Sequence, residues 1–360
     1  MVYNCFTNMF SKQEILKIAR KKGKIYTRSL AFKFRVSRQY ATLLASELVS
    51  EHKLIKLGST KKAYYVLPEY AKKHKEIFPS SYRKTYSNRS LEEHKILDQI
   101  EKSFSPAREL PENIQSIFTY AFSEMLNNAI EHSASRRIGV DVSVRNNKLF
   151  FDVSDSGIGV FRNIMKKRKL NSELEAIQDL MKGKTTTMPK AHSGEGIFFT
   201  SKAADLFILD SFGSQLIVNN AIPDVFIKKT KKIKRGTRVT FEINFASKKH
   251  LKDIFDQYTN QTEGSDYGFD KTMIKIKLYT ISGIHISRSQ ARRVLSGLDK
   301  FKIIVFDFDK VPLVGQAFAD EIFRVFHMKH PNIKLEPINM NEAAKFMVER
   351  AIYKAKEERI

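Results

Sequence analysis

Apolar residues recur along this chain with two different periods, and the changes of period divide it into blocks. In the first block Ile15, Leu16, Ile18 and Ala19 form a helical stripe after Ser11, which caps it with Glu14 at the capping-box position, and Gly23 ends it. Thr27 is expected to cap a second helix through Phe34, the tight Arg35-Val36 turn follows, and Ser37 caps a third helix running to about His52. In that third helix Tyr40, Leu43, Leu44, Glu47 and Leu48 repeat at helical spacing, which leaves Ser37, Arg38, Gln39 and Thr42 at its exposed start. The stretches Leu54–Leu57 and Lys61–Leu67 read as a hairpin around Gly58-Ser59-Thr60, with Lys61 and Lys62 at a basic tip.

A basic stretch and then a helical linker are expected over 76–114, where Leu91, Ile96, Leu97, Ile100 and Phe104 supply a packing face. Phe118, Ala121, Phe122, Met125, Leu126 and Ala129 give the next helix one buried side, and Leu149–Ser154 reads as a strand. After Phe245 a polar connection, Asn260–Asp266, marks a boundary. Strand and helix then alternate: Met273–Thr280, Ser287–Leu298, Lys302–Phe308, Gly315–Phe326, Ile333–Ile338 and Asn341–Ala355. Such alternation predicts right-handed crossovers and a mostly parallel sheet.

Charge changes the picture mainly at the N-terminal end. The 360 residues carry a net charge of +24, and residues 1–90 hold 20 Lys/Arg against 5 Asp/Glu. That excess points to a polyanion, most simply nucleic acid, although a solvated basic surface has the same composition. With the three-helix-and-hairpin pattern it reads as a winged helix-turn-helix over 1–75: Ser37, Arg38, Gln39 and Thr42 toward a major groove, Lys61 and Lys62 on phosphates. A winged helix turned into a protein-binding module is the competing reading. One cysteine, Cys5, excludes an internal disulfide framework and fits a reducing cytoplasm. No apolar run is long enough for a membrane helix, so a cytoplasmic location is expected.

Three short motifs hold the candidate chemistry. In Phe122–His132, Glu124 and Asn128 are four apart and share one helix face. An amide oxygen there suits an Mg²⁺ carried by a triphosphate, and the carboxylate one turn away suits a general base; a solvated polar face would contain the same pair. Asp155 ends its strand in Asp155-Ser156-Gly157-Ile158-Gly159, where a carboxylate can accept from an adenine amino group while Gly157 and Gly159 let the backbone approach a base or sugar. An ordinary Asp-Ser-Gly turn looks alike. Ser193-Gly194-Glu195-Gly196-Ile197 opens a helical run to Asp205, a seat for phosphate on free N–H groups. Between them Lys182, Lys184, Thr185 and Thr186 lie where a γ-phosphate could be sensed, in a lid spanning 160–193, or else in a solvated loop. Glu195 reads as a surface residue.

Glu124 with Asn128, Asp155-x-Gly157-x-Gly159 and Gly194-x-Gly196, in that order, resemble the boxes of the GHKL ATPases. Gly236–Phe241 resembles the strand that closes the pocket of those enzymes, with Thr237 helping to hold adenine. The likeness covers 115–247 and implies a Bergerat α/β sandwich with ATP and Mg as cofactors. Residues 266–360 resemble a STAS-like domain, in which Phe306-Asp307-Phe308 to Gly315-Gln316-Ala317 corresponds to the strand–loop–helix that bears a phosphorylatable Ser in regulatory members. No hydroxyl stands there; Ser287 or Ser289 could take a role, though helix capping explains Ser287 equally well.

The expected fold is therefore multidomain α+β: winged helix, GHKL domain and STAS-like α/β domain. The expected function is an ATP-binding, slowly hydrolysing, DNA-binding regulator. The alternatives are a Ser/Thr kinase of the anti-sigma-factor type, or a stress or defence ATPase whose winged helix binds protein. Glu124 favours chemistry, since the resemblance implies a glutamate base in the hydrolytic and serine-kinase branches. His94 as a phosphoacceptor is disfavoured because no two-helix hairpin accompanies it. GHKL domains often dimerise, which keeps a homodimer open, as is a protein partner for the STAS-like domain.

Overall fold

In a computed structural model the structure describes residues 10–58, 63–74, 77, 81–104, 110–184, 195–231, 233–259, 269–279, 284–285 and 287–358. The chain folds as two compact units, one from residues 1–82 with 98–109, the other from 83–97 with 110–360.

The first unit runs α1 (Lys12–Lys22), β1 (Lys24–Ile25), α2 (Thr27–Phe34), α3 (Arg38–Ser50), β2 (Ile55–Leu57), β3 (Tyr64–Val66) and α4 (Pro68–Lys73), with the strands in the antiparallel order β1-β3-β2. Ser11 caps α1 through Glu14 N–H and Ser37 caps α3 through Tyr40 N–H, at 3.4 and 3.1 Å. Thr27 does not cap α2: it is already helical, Tyr26 is the cap residue, and Arg35 closes the helix in the left-handed region at φ 52°. The buried stripe of α3 is Ala41, Ala45 and Leu48, so the expected stripe is displaced. Small alanines are what allow α3 to approach Ile15, Ala19 and Leu30, while Tyr40 and Leu43 remain exposed. Ser37, Arg38 and Gln39 are exposed at the start of α3, and Thr42, half-buried, donates its hydroxyl to Arg38 O at 2.8 Å. Lys61 and Lys62 lie outside the described residues.

The stretch expected as a helical linker contains β4 (Ser81–Ser87) as well as α5 (Glu93–Ser103). β4 is the edge strand of a seven-stranded sheet, and its Arg83 donates to Asp141 on the neighbouring strand at 2.6 Å. The rest of that sheet follows α6 (Glu112–His132): β5 (Arg137–Arg145), β6 (Lys148–Asp155), α7 (Val160–Lys167), α8 (Glu173–Met181), α9 (Gly196–Ala203), β7 (Leu206–Ser211), β8 (Ser214–Asn219), β9 (Asp224–Lys229) and β10 (Thr237–Asn244). Its order is β4-β5-β6-β10-β7-β8-β9, which puts the last strand in the middle beside β6. Phe118 and Phe122 of α6 pack on Phe151 of β6, which stacks on Phe241 of β10 at 4.7 Å. Each such buried phenylalanine contributes about 1.5–3 kcal/mol. The register that buries Val153 and Val239 on this face also turns Asp155 and Thr237 toward it, one pleat beyond the core.

After α10 (Leu251–Asp256) come β11 (Lys271–Lys275), a 3₁₀ turn Ile276–Tyr279, β12 (Ile284–His285), α11 (Arg288–Leu295), β13 (Ile303–Asp307), β14 (Leu313–Val314) and α12 (Gln316–Asp320). A π-helical turn, Glu321–Phe326, joins α12 to α13 (His327–Lys329), and β15 (Lys334–Ile338) and α14 (Glu342–Glu357) complete the chain. The order β11-β13-β15 is wholly parallel, as the alternation predicts, and β12 pairs with β14. The first strand is shorter than Met273–Thr280, because the chain tightens into the 3₁₀ turn that buries Ile276 and Tyr279.

Candidate functional site

Four separated segments meet at the ends of β6 and β10. Asp155 Oδ1 accepts from Gly157 N–H at 2.7 Å, and the carboxylate also accepts from the backbone and the hydroxyl of Thr237. Thr237 Oγ1 in turn accepts from Val160 N–H, the first residue of α7, at 3.0 Å. A carboxylate has about four acceptor positions. One is filled by Gly157 N–H, and Thr237 lies close enough to lower the pKa of the carboxylate against its burial. Desolvation by burial raises the Asp155 pKa, which these hydrogen bonds only partly offset.

The glycines around Asp155 are demanded by the protein itself. A methyl group at Gly157 would fall 1.8 Å from Ser133 O at the end of α6, while Ile158 N–H donates to that same carbonyl at 2.9 Å. Gly157 therefore seats the loop on α6, rather than opening room for a ligand as the sequence reading expects. Gly236, at φ 92°, would bring a methyl group within 2.2 Å of Asp155 O. That contact draws the β9–β10 connection onto the Asp155 turn.

Glu124 and Asn128 lie half-buried on α6. A methyl group at Gly196 would fall 2.0 Å from Glu124 Oε2, so the start of α9 rests against the carboxylate. The first and third motifs thus meet in space. Glu195 is half-buried, and with Glu124 and burial it raises the pKa of the Tyr120 hydroxyl, burial being the largest cause. Tyr120 and Glu195 are the residues that sequence reasoning missed. Tyr120 sits one turn before Glu124, and that spacing was the available signal. Ile197 is half-buried in the first turn of α9. Ser193, Gly194, Thr185 and Thr186 lie outside the described residues.

Lys182 and Lys184 take a different place from the expected phosphate sensors. The Lys182 side chain is buried, and its ammonium donates to Arg293 O at 3.0 Å and Ser296 O at 2.8 Å, the last carbonyls of α11. Thr272 of β11 donates its hydroxyl to Lys182 O at 2.7 Å. Lys184 faces Asp270 at 3.6 Å and lies over the Phe301 ring. Upstream, Gln178 donates to Leu278 O and accepts at its carbonyl from the Tyr279 hydroxyl. The segment is committed to the C-terminal α/β domain because its lysine finds unsatisfied helix carbonyls there.

The residues fit a nucleotide in donor set and shape. Asp155 lies beside Thr237, Asn128 and Glu124 share one face of α6, and the start of α9 reaches Glu124. Residues 113–247 match the family model of histidine kinase-, DNA gyrase B- and HSP90-like ATPases. Residues 290–345 match a STAS-like domain of unknown function. A comparison with curated proteins returned no match for the chain. Among the described residues no helix is long and apolar enough to cross a membrane. The chain joins a nucleotide-binding GHKL ATPase domain to a C-terminal STAS-like domain.

Proposed function

We propose that this protein is a DNA-binding regulator that binds and slowly hydrolyses ATP, with nucleotide state controlling how its first unit and its STAS-like domain are presented. The observation that supports the ATP part is that α6 brings Glu124 against Gly196 and, at its end, Ser133 against Gly157 of the turn that begins at Asp155. Asp155 takes the amino group of the base, with Thr237 setting its orientation. Asn128 offers an amide oxygen to Mg²⁺. Bound Mg·ATP supplies the phosphoanhydride that is broken. Glu124 then holds the attacking water and takes its proton on the carboxylate. The first unit supports the DNA reading through its element order, that of a winged helix, and the exposed Ser37, Arg38 and Gln39 at the start of α3.

One observation favours the protein-binding alternative. Phe32 is 89 % exposed and Leu43 55 % exposed on the same three-helix unit, an apolar pair that phosphates do not need. For the kinase alternative, Gly315 rather than a serine caps α12.

ATP labelled on its γ-phosphate, incubated with the protein and Mg²⁺, separates these readings. Label released as phosphate, and lost by at least ~100-fold in Glu124→Ala with ATP binding retained, supports the ATPase. Label retained on protein would turn the assignment to a kinase. Absence of any DNA shift at low salt, where such binding is strongest, would remove the DNA part.

A further inference from the structure

The geometry points to a second nucleic-acid contact on the ATPase domain itself: the crossover from β9 to β10 binds a phosphodiester backbone. Residues 228–235 read Lys-Lys-Thr-Lys-Lys-Ile-Lys-Arg, six cations in eight positions with no acid among them. In the fold this run leaves the edge strand β9 and crosses the ends of β8 and β7 to reach the central strand β10. Thr230 N–H donates to Gly213 O at 2.7 Å, and a methyl group at Gly213 would meet Ile233 Cγ1 at 3.2 Å, so the run is laid over the β7–β8 turn.

Some cations of this unit are neutralised locally. Lys229 faces Glu173, Arg238 pairs with Asp152, and Lys249 pairs with Asp205. Lys231, Lys234 and Arg235 are exposed and form no ion pair with a described residue. They line an open cleft of about 720 Å³ whose walls add the hydroxyls of Ser154 and Ser156 and the carboxylates of Asp155 and Asp210. Three exposed cations without an ion pair to a described residue attract a polyanion.

The neighbouring strand tells what kind of polyanion. Phe226 and Lys228 alternate onto one face of β9, Phe226 is 37 % exposed, and the Lys228 ammonium lies 5.8 Å from its ring centroid. Ile233 at the tip of the crossover is 72 % exposed. Cations interleaved with an exposed aromatic ring are what a nucleic-acid strand uses, phosphates on the cations and a base on the ring. A free phosphate has no use for Phe226. The contact is separate from Arg38 and Gln39, and it borders Asp155, so nucleic acid on this surface would lie beside the nucleotide.

The test uses the full-length chain and a fluorescent oligonucleotide, with affinity measured against salt concentration. The variant Lys231→Gln/Lys234→Gln/Arg235→Gln changes only exposed side chains. Loss of three phosphate contacts lowers the slope of log affinity against log salt by about 2–3, roughly 0.7–0.9 per contact, with at least tenfold weaker binding near 0.1 M salt. ATP affinity stays within about twofold, which also verifies folding. An unchanged slope overturns the proposal, as does an ATP affinity that falls while oligonucleotide binding holds, since the cations then serve the nucleotide. Arg38→Ala/Gln39→Ala is measured alongside. If it has no effect while the triple variant does, the winged-helix reading fails and this one stands.

Discussion

Lys182 makes the strongest demand on the interpretation, because its sequence position promises a phosphate contact and its surroundings give it another task. Replacing it with methionine keeps most of the apolar stem and removes the ammonium. Two charge-assisted hydrogen bonds to Arg293 O and Ser296 O are lost, each worth about 1.5–3 kcal/mol. Against this, burial holds the ammonium at a pKa of about 8 instead of 10.5, a penalty of about 3 kcal/mol that the variant escapes. The net cost is therefore about 0–3 kcal/mol, placed where the STAS-like domain meets the ATPase domain. Hydrogen exchange reads it directly: amides in the last turn of α11 and in β11 exchange up to roughly 100-fold faster in Lys182→Met, while the core of β6 and β10 is unchanged. The pH dependence has a definite sign. Between about 8 and 10.5 the unfolded chain binds the lysine proton that the folded chain has released. Stability from this residue therefore rises with pH across that window, and Lys182→Met removes the rise. Unchanged exchange in α11 together with a large loss of ATP affinity would refute the anchoring role and return Lys182 to the phosphates.

Three other perturbations test the rest of the site. Gly157→Ala drives a methyl group into Ser133 O and should cost about 3 kcal/mol or more, with nucleotide binding lost, as measured by chemical unfolding and ATP titration. Asp155→Asn should weaken ATP at least ~30-fold by replacing an acceptor with an amide. In the unaltered chain ATP affinity should fall on acidification with a midpoint above the ordinary carboxylate range, because burial raises Asp155; a midpoint at or below that range would count against it. Asp224, on β9, is held well below the ordinary carboxylate range by the Lys277 and Lys310 ammoniums, against the opposing effect of its burial. Asp224→Ala should cost about 2 kcal/mol at neutral pH, and that difference should shrink as pH falls through the carboxylate range toward the lowered value.

How far the chain could be read without its fold varied with the range of the interactions involved. Ser11, Ser37 and Ser287 cap their helices as the sequence suggests, because a cap is settled within four residues. The parallel order of the last domain followed from strand–helix alternation, and the role of Thr237 near the base came only from the resemblance to the GHKL pocket. What sequence spacing missed depends on distant partners. The stripe on α3 shifted to Ala41 and Ala45 because a close helix contact selects small side chains over large ones. Ser81–Ser87 became an edge strand because a sheet elsewhere offered it hydrogen-bonding partners. Gly157 answers to Ser133, some two dozen residues away, and Gly236 to Asp155. Local pattern therefore determined most of the elements, and the order of the motifs carried the resemblance to the GHKL ATPases. Only the tertiary structure decided which lysines are spent inside the protein and which face water, because a buried ammonium must find carbonyl or carboxylate partners whose positions the local sequence does not encode.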